Sequence, residues 1–398
     1  MAPFFLRRSR YALALAPLSG KARLRYVLAA RRCGGGLFLD NTNQNKEQDM
    51  KLQSVVRHAT FSRCRRPALR RAVSRAVIAI AMGSAALAAG VASAQTAAPP
   101  AQQKTQVPGY YRMMVGQLEV TALYDGYIDL DPKLFKYTSA RELQSLLARM
   151  FVASTPGMQT AVNAYLIHTG SRLVLVDTGA AGCFGPTLGR IGENLRAAGY
   201  APEQVDTVLL THLHGDHACG LASDGKAAFP NATVYVDKAD LDYWLSDANA
   251  AAAPKEAQGL FAMARAAVAP YQAAQRLRTF NGGAGGEPVA GVRVVPANGH
   301  TPGHSGYLFT SGNDSLLLWG DIVHNHALQL RRPQVAIEFD VDSHQAVITR
   351  KRLLEQAAKG RLWVGGAHMP FPGLGHVRRD TAGYTWVPAE YGPIRGDR

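Results

Sequence analysis

Four side chains that commonly bind metal ions lie within six residues, in the run HLHGDH at 212–217. The run follows three apolar residues (VLL), which are typical of the end of a buried strand. His212 and His214 would point to the same side of an extended segment, because side chains alternate in direction along a strand. Asp216 and His217 are adjacent and point in different directions, so each can bind a different metal ion. Since imidazole and carboxylate groups are common zinc ligands, the run predicts a metal site.

Three further candidate ligands lie downstream, each after an apolar run that predicts a strand. His300 belongs to the run GHTPGH, Asp321 to WGDI and His368 to GGAHMP. His304 lies four residues after His300 and is an alternative ligand to it. Two neighbouring divalent cations need a shared anionic ligand to screen their repulsion, and together they lower the pKa of a water molecule between them. The sequence therefore predicts a two-metal site at strand ends and in loops.

The elements that must position these residues alternate between strands and helices. Strands are predicted at residues 117–124, 162–167, 172–176, 205–210, 233–236, 292–295, 307–310, 315–319 and 362–364. Helices are predicted at 139–151, 186–198, 238–245, 254–276 (broken at Pro270) and 343–358, and an Asp-Gly turn at 125–126. Two rounds of antiparallel strands with flanking helices predict the α+β class. The expected fold is an αββα four-layer sandwich formed as a single domain.

The formal net charge of +15 is concentrated near the N-terminus. Residues 1–94 hold 17 basic and 3 acidic residues, whereas the remaining residues hold 27 basic and 26 acidic ones. The second part is therefore nearly neutral and offers no basic face for a phosphate backbone. This distribution excludes nucleic acid as an expected partner and leaves a small-molecule substrate.

The basic N-terminal part has the organisation of an export signal. Arginines at 63–75 precede an uncharged apolar run at 76–91, and Ala-Ser-Ala at 92–94 matches a cleavage site. The apolar run is short for a membrane span, so we expect no stable membrane anchor after cleavage. The predicted organisation is listed from the N-terminus: 1–49, a non-native or disordered extension; 50–94, the export signal; 95–107, a flexible linker; 108–398, the domain that carries the candidate metal ligands. We expect a periplasmic or secreted protein.

Only two of the four cysteines, Cys183 and Cys219, lie beyond the predicted signal. Two cysteines do not make a disulfide framework. Free thiols are the preferred interpretation, and a single bridge in an oxidising compartment is the alternative.

The ligand pattern HxHxDH, followed by His, Asp and His, resembles that of the metallo-β-lactamase superfamily over residues 108–391. The resemblance implies two sets of ligands that share one member. The first set is His212, His214 and His300; the second is Asp216, His217 and His368; the shared ligand, Asp321, bridges both metal ions together with a hydroxide. Asp321 and Asp216 are the implied catalytic residues. Zinc is the expected metal, with manganese or cobalt as alternatives, and Asp177 is interpreted as a support of the site.

Longer runs resemble the methyl parathion hydrolase group of exported organophosphorus hydrolases. These runs are PGYYRMM at 108–114, VLVDTGAA at 174–181, FGPTLG at 184–189 and AHMPFPG at 367–373. The resemblance implies a homodimer that cleaves aryl dialkyl phosphotriesters of the methyl parathion or paraoxon type.

The implied substrate pocket has an aromatic wall of Phe184, Trp244 and Phe261, which would bury an apolar leaving group. Ordinary core packing is the alternative interpretation of these three aromatic residues. His324 is expected to face the pocket, where the group is expected to have an apolar residue, and His326 is expected to be structural or solvated.

Other substrate classes stay open. A lactonase or arylesterase acting on acyl-homoserine or other lactones is the alternative, because a cyclic ester and a phosphotriester offer the same nucleophile a polarised centre. A mononuclear iron oxidoreductase of the same fold is a second alternative, although such enzymes usually lack one of the seven ligands. A non-catalytic binding protein and a β-lactamase are two further hypotheses about the function, and the sequence favours them less.

Overall fold

The computed structural model describes residues 100–394. The predicted extension and export signal, the first five residues of the predicted linker, and residues 395–398 lie outside this range. Among residues 100–394, every helix is too short or too polar to span a lipid bilayer.

The first half of the described range forms a seven-stranded sheet in the order β1-β2-β4-β5-β6-β9-β10. Its strands are β1 (Tyr110–Val115), β2 (Leu118–Leu130), β4 (Met158–His168), β5 (Leu173–Val176), β6 (Thr207–Leu209), β9 (Thr233–Asp237) and β10 (Leu277–Phe280). Its helices are α1 (Ala140–Arg149), α2 (Ile191–Ala197), α3 (Gly215–Ala218), α4 (Lys238–Leu245), α5 (Asp247–Ala252) and α6 (Gln258–Ala273). Short strands β3 (Phe135–Lys136), β7 (Ala222–Ser223) and β8 (Lys226–Ala227) lie outside this sheet.

The second half forms a six-stranded sheet in the order β11-β12-β13-β15-β16-β17. Its strands are β11 (Val292–Pro296), β12 (Ser305–Ser311), β13 (Asp314–Leu318), β15 (Trp363–Gly365), β16 (Leu374–Arg379) and β17 (Tyr384–Pro388). Helices α7 (His326–Gln329) and α8 (Ser343–Gly360) accompany them, and β14 (Ala336–Ile337) pairs with β3.

The two sheets pack face to face through an apolar layer. Val120 and Val174 of the first sheet share this layer with Val294, Phe309 and Leu316 of the second. A second core packs α4 and α6 on the outer side of the first sheet, and a third packs α8 on the outer side of the second. The predicted αββα sandwich is therefore confirmed, with apolar residues buried in every layer.

Pairing within the sheets differs from the prediction, because both sheets are mixed. β5, β6, β9 and β10 pair in parallel, as do β13 and β15. Helices or long loops separate these strands along the chain, and a crossover connection permits parallel pairing. Parallel strands end at one edge, which brings the loops that follow them together.

The predicted turn at Asp125 does not form, and β2 continues through it to Leu130. Asp125 is buried and accepts hydrogen bonds from the backbone of Ala180 and Ile191. The strand bulges at Gly126, whose φ of 143° favours glycine. The buried carboxylate thus ties the strand to the loop before α2.

One helix start and one predicted helix break also differ from the prediction. The helix predicted at 186–198 begins only at Ile191, because the chain passes through a left-handed conformation at Gly189. The predicted break at Pro270 is wrong: α6 continues to Ala273, and the backbone of Ala274 donates to the Pro270 carbonyl. Pro270 lies in the last turn of the helix, where its missing backbone N–H removes one hydrogen bond, that to the carbonyl of Ala266.

Candidate metal centre

The ligand candidates follow strand ends of both sheets. β6 ends at Leu209, and α3 begins at Gly215, so the HLHGDH run spans the connection and the start of that helix. His300 follows β11, Asp321 follows β13 and His368 follows β15. These loops meet at one edge of the sandwich, which brings together residues separated by up to 156 positions.

The first set of predicted ligands forms a compact group. His214 Nδ1 lies 3.0 Å from both His212 Nε2 and His300 Nε2. Asp321 Oδ2 lies 3.2 Å from His300 Nε2 and 3.7 Å from His212 Nε2. All four side chains are buried. Four ligand atoms this close together can bind one metal ion.

The second set lies on the other side of Asp321. His217 Nε2 lies 3.5 Å from Asp216 Oδ2, and His368 Nε2 lies 3.4 Å from the same oxygen. Asp321 lies 3.1 Å from both imidazoles, through Oδ1 to His217 and through Oδ2 to His368. Asp216 is the most exposed of the seven side chains, so the site opens to solvent on its side.

Buried polar atoms without hydrogen-bond partners test whether this site fits metal ions. His217 Nε2 and Asp321 Oδ1 are buried and have no hydrogen-bond partner in the described structure. Because an unpaired buried polar atom is costly, such atoms call for a ligand. The donor set of imidazoles and carboxylates is the one that divalent transition metals prefer. The residues therefore fit a metal ion on each side of Asp321.

Hydrogen bonds to the ring nitrogens that face away from the site orient the imidazoles of His217 and His368. Asp177 Oδ2 lies 2.8 Å from His217 Nδ1, and the Ala161 carbonyl lies 2.8 Å from His368 Nδ1. Asp177 also accepts a hydrogen bond from the backbone of Thr211 and is in a left-handed conformation. Such partners set the ring tautomer and the basicity of a metal-binding histidine.

Asp340 orients His300 in the same way, and sequence reasoning missed it. Its Oδ1 lies 2.9 Å from His300 Nδ1, and Oδ2 accepts from the backbone of Ile337. The buried Arg350 guanidinium lies 4.0 Å away. Because 40 residues separate Asp340 from His300, no local pattern in the sequence could reveal the pair.

Asp240 connects the two loops that carry the first set of ligands. Its carboxylate accepts hydrogen bonds from the backbone of Leu213, between two ligands, and of Gly303, near His300. The side chain is completely buried. Burial raises the pKa of Asp240 to about 6, although these hydrogen bonds oppose the rise.

Burial and the neighbouring charges shift the pKa values of the candidate ligands in opposite directions. Burial lowers the pKa of His212 well below its usual value, and the neighbouring His217 lowers it further. Burial also lowers the pKa of His217, but the Asp321, Asp216 and Asp177 carboxylates together raise it well above the usual value. Burial raises the pKa of Asp321, but surrounding imidazoles bring it well below its usual range. Because metal ligands must be deprotonated, metal binding would release protons from this cluster.

His304, the alternative ligand, points away from both groups. The Ala297 carbonyl lies 3.0 Å from its Nδ1, and the backbone of Asp321 donates to Nε2. Both ring nitrogens therefore have partners, and the imidazole supports the backbone at Asp321.

A cavity of about 180 Å³ opens beside the second set of ligands. Its lining residues are Tyr124, Gln159, Thr160, Ala161, His324, Asn325, His326, His368, Pro370 and Phe371. The wall thus combines polar groups with two aromatic rings. His326, expected to be structural or solvated, lies in this wall.

His324 lies between the two ligand sets. Its Nε2 is 3.2 Å from Asp321 Oδ2, and its ring stacks at 5.1 Å on that of His368. The side chain is buried, and neither ring nitrogen has a hydrogen-bond partner in the described structure.

The three aromatic residues predicted for the pocket do not line this cavity. Trp244 and Phe261 are 3% and 2% exposed and pack on each other in the core outside the first sheet. Trp244 nevertheless contacts the His214 ring edge-on, at 5.0 Å between ring centres. Phe184 is 38% exposed and lies beside Gly215. The role of these three in substrate binding stays a prediction.

The expectation of free thiols is wrong, because a disulfide joins Cys183 to Cys219. The two residues lie 36 positions apart, Cys183 in the loop before α2 and Cys219 directly after α3. Spacing in the sequence carried no sign of this contact, which the packing of the loop on α3 creates.

Comparison with known proteins agrees with this geometry. The family model described as the metallo-beta-lactamase superfamily matches residues 157–368. The solved structure of the hydrolase AbOPH, in the beta lactamase superfamily, is 42% identical with a TM-score of 0.70, covering 73% of this chain and 100% of that one. AidC, a dizinc quorum-quenching lactonase solved with the product N-hexanoyl-L-homoserine, is 26% identical with a TM-score of 0.66, covering 72% and 99%.

An uncharacterized protein from Bacillus subtilis, YobT, is 26% identical over 180 residues, which are 43% of this chain. The match spans 63% of the length of that curated relative. Since the family match includes all seven ligand candidates and the fold agrees, the chain belongs to the metallo-beta-lactamase superfamily and is a metal-dependent hydrolase.

Proposed function

We propose that this protein is a lactonase that uses two divalent metal ions, most simply zinc. The observation that carries the proposal is the convergence of six other ligand side chains around Asp321, which lies within 3.2 Å of imidazoles from both sets. Bound there, two cations would activate a water molecule and polarise the carbonyl group of the ester. The likeness to the dizinc lactonase AidC over nearly its whole length supports this substrate class.

Neighbouring side chains hold the candidate ligands in position, and others make the adjoining cavity polar. Asp177 and Asp340 hold two imidazoles in one orientation, so little rearrangement would accompany metal or substrate binding. The adjoining cavity carries polar side chains, including Gln159 and His324, which suit the carboxylate and hydroxyl of an opened lactone. Trp244 and Phe261, predicted for an aryl-binding wall, are buried in the core, and the aromatic rings that line the cavity are those of Tyr124 and Phe371.

Phosphotriester hydrolysis is the second candidate. It is favoured by the runs at 108–114, 174–181, 184–189 and 367–373, which resemble the methyl parathion hydrolase group. Phe184, the exposed member of the predicted aromatic wall, could still contact an aryl group.

A substrate panel distinguishes the two candidates. The zinc-loaded full chain would be assayed on N-hexanoyl-L-homoserine lactone, δ-valerolactone and methyl paraoxon, with metal content measured on the same sample. We expect kcat/KM for a lactone to exceed that for methyl paraoxon by about 100-fold or more, a ratio within reach of differential transition-state binding. The reverse order would favour the phosphotriesterase. One iron and no zinc per chain in the protein as purified, before zinc is added, would overturn the hydrolase with two zinc ions.

We also propose that the protein is exported. The signal pattern at 50–94 supports this, and so does the Cys183–Cys219 bond, because disulfides persist in oxidising compartments. Fractionation of cells that produce the full chain should yield a mature periplasmic form that begins at Gln95, as read by mass spectrometry. Recovery of an uncleaved chain with reduced cysteines from the cytoplasm would contradict the proposal.

A further inference from the structure

The disulfide joins an exposed loop to the helix that carries two of the ligands. We call residues 181–189, between β5 and α2, the Cys183 loop. Cys219 directly follows α3, which contains Asp216 and His217. The bond therefore links this loop to the metal-binding segment of the chain.

Phe184, next to Cys183, lies against that segment. A Cβ atom placed on Gly215 would lie 3.0 Å from Phe184 Cε2 and 3.2 Å from Cys219 Sγ. The edge of the ring thus packs on the backbone between the ligands His214 and Asp216. Because the ring is 38% exposed and Asp216 is the most exposed ligand, Phe184 stands where the site meets solvent.

The ends of the Cys183 loop are anchored, but its middle is not. The backbone of Ala180 donates to Asp125, and the Thr187 hydroxyl donates to the Tyr127 carbonyl. For residues 182–186, the described structure shows one hydrogen bond, the local one from Cys183 to the Ala180 carbonyl. The disulfide is therefore the main connection that holds this exposed stretch, and with it Phe184, against α3.

The metal-binding helix does not depend on the disulfide in the same way. Both the backbone and the hydroxyl of Thr178 donate to the His217 carbonyl, each at 2.8 Å. Asp177 holds the His217 ring, and the backbone of Gly220 donates to Gly179. Loss of the disulfide should therefore free the Cys183 loop while leaving the ligands in place.

We infer that the Cys183–Cys219 disulfide is a positioning element for substrate specificity, which fixes Phe184 as an apolar wall at the mouth of the metal site. This inference rests on the proposed function for its choice of substrate. A fixed aromatic ring favours substrates with a long apolar group, because it offers contact area at little cost in conformational entropy. A short substrate would gain little from it.

The test compares the wild-type protein with the double variant Cys183→Ser/Cys219→Ser on N-butanoyl- and N-decanoyl-L-homoserine lactones. We expect bound zinc to be unchanged and kcat/KM for the decanoyl substrate to fall about tenfold, mainly through KM. The butanoyl substrate should change less than about twofold, since it makes few contacts with an apolar wall. Reduction of the wild-type protein with tris(2-carboxyethyl)phosphine, with bound zinc measured on the same sample, should reproduce this pattern.

A double-mutant cycle separates positioning from general stability. Phe184→Ala should reproduce the loss on the decanoyl substrate and should cause no further loss in the serine double variant, because both changes remove one contact. Phe151→Ala, at a fully exposed phenylalanine, is the matched control and should leave both substrates unaffected. Additive losses, equal losses on both lactones, or loss of zinc in the serine variant would overturn the inference.

NMR relaxation gives a result that does not depend on activity. Breaking the disulfide should lower the backbone order parameters at 182–185 and leave those of residues 212–217 unchanged. If the wild-type protein hydrolyses no lactone, the proposed function fails and the order parameters alone decide the positioning role. Unchanged order parameters at 182–185 would then overturn the inference.

Discussion

Asp321 is the residue on which both ligand sets depend. Its two oxygens lie within 3.2 Å of imidazoles on both sides, and it is almost completely buried. A carboxylate in this place supplies the negative charge that two neighbouring cations share. Its removal should affect both metal positions, whereas removal of any one histidine affects one.

Asp321→Asn should lower the bound metal to one ion or fewer per chain and reduce kcat/KM on the order of 10³-fold, since the amide lacks the bridging charge. Elemental analysis and kinetics on the same sample would check both effects. Asp242→Asn is the matched control, because Asp242 is exposed and paired only with Lys238. A variant that keeps two metal ions and full activity would contradict the bridging role.

Asp340 can be tested separately, because it contacts His300 Nδ1, on the side of the ring away from the other ligands, and belongs to neither ligand set. Asp340→Asn should weaken metal binding at the first position by about 10- to 100-fold, as measured by competition with a chelator. Asp342→Asn, at the N-cap of α8, should lower stability and leave metal affinity unchanged. Equal metal affinities for the Asp340 variant and the wild-type protein would exclude the orienting role.

The loops after the strands are the elements that assemble the site, and Asp240 at α4 connects two of them. It accepts from Leu213 in one ligand loop and from Gly303 in the other. The relative position of these loops therefore depends on a carboxylate from a third element. This arrangement explains how loops without regular secondary structure can hold a compact group of ligands.

The raised pKa of Asp240, about 6, predicts how stability depends on pH. The folded protein binds the proton more tightly than the unfolded chain does, so this group's contribution to stability falls as the pH rises from about 4 to above 6. This pKa difference corresponds to a contribution of about 3 kcal/mol to the free energy of unfolding. Relative to the Asp240→Asn variant, in which residue 240 does not titrate, the wild-type protein should lose roughly that amount of stability over this pH range.

Urea unfolding of both proteins at about pH 4 and pH 7, with a chelator present, measures this difference. The chelator removes metal from both proteins, so protonation of the candidate metal ligands contributes equally to the stability of each. Asp242→Asn, on the same helix and exposed, is the control for the loss of a carboxylate outside the core. The same difference between the Asp240→Asn variant and the wild-type protein at both pH values would show that the pKa of Asp240 is not raised in the folded protein.

For the whole molecule, the metal centre lies where loops of both sheets meet. Asp321 and His368 follow strands of the second sheet, and His212 follows a strand of the first. Metal ions bound there would link the two halves of the sandwich, so their binding free energy adds to the stability of the fold.

Removal of metal should therefore lower both activity and stability. Treatment with a chelator should abolish hydrolysis and lower the free energy of unfolding by about 4 kcal/mol at a metal concentration 1,000 times Kd, with recovery on addition of zinc. Differential scanning calorimetry and the lactone assay would follow both effects. An unchanged melting temperature with activity lost would mean that the metal ions do not link the two halves.

The sequence by itself determined the fold class and the seven ligand candidates. Each candidate lies within eight residues of the end of the preceding strand, so strand periodicity and the HxHxDH spacing were sufficient to predict it. The N-cap Ser139 and the helix at 238–245 were also predictable, because capping and helical spacing are local properties.

Only the tertiary structure decided which distant residues support those ligands. Asp340 and Asp240 act across 27 to 63 positions, and the disulfide across 36. The burial of Trp244 and Phe261, and the appearance of His326 in the cavity wall, follow from how helices pack on the sheets. Local patterns record which face of an element is apolar, whereas contacts between elements depend on packing that no short stretch of sequence encodes.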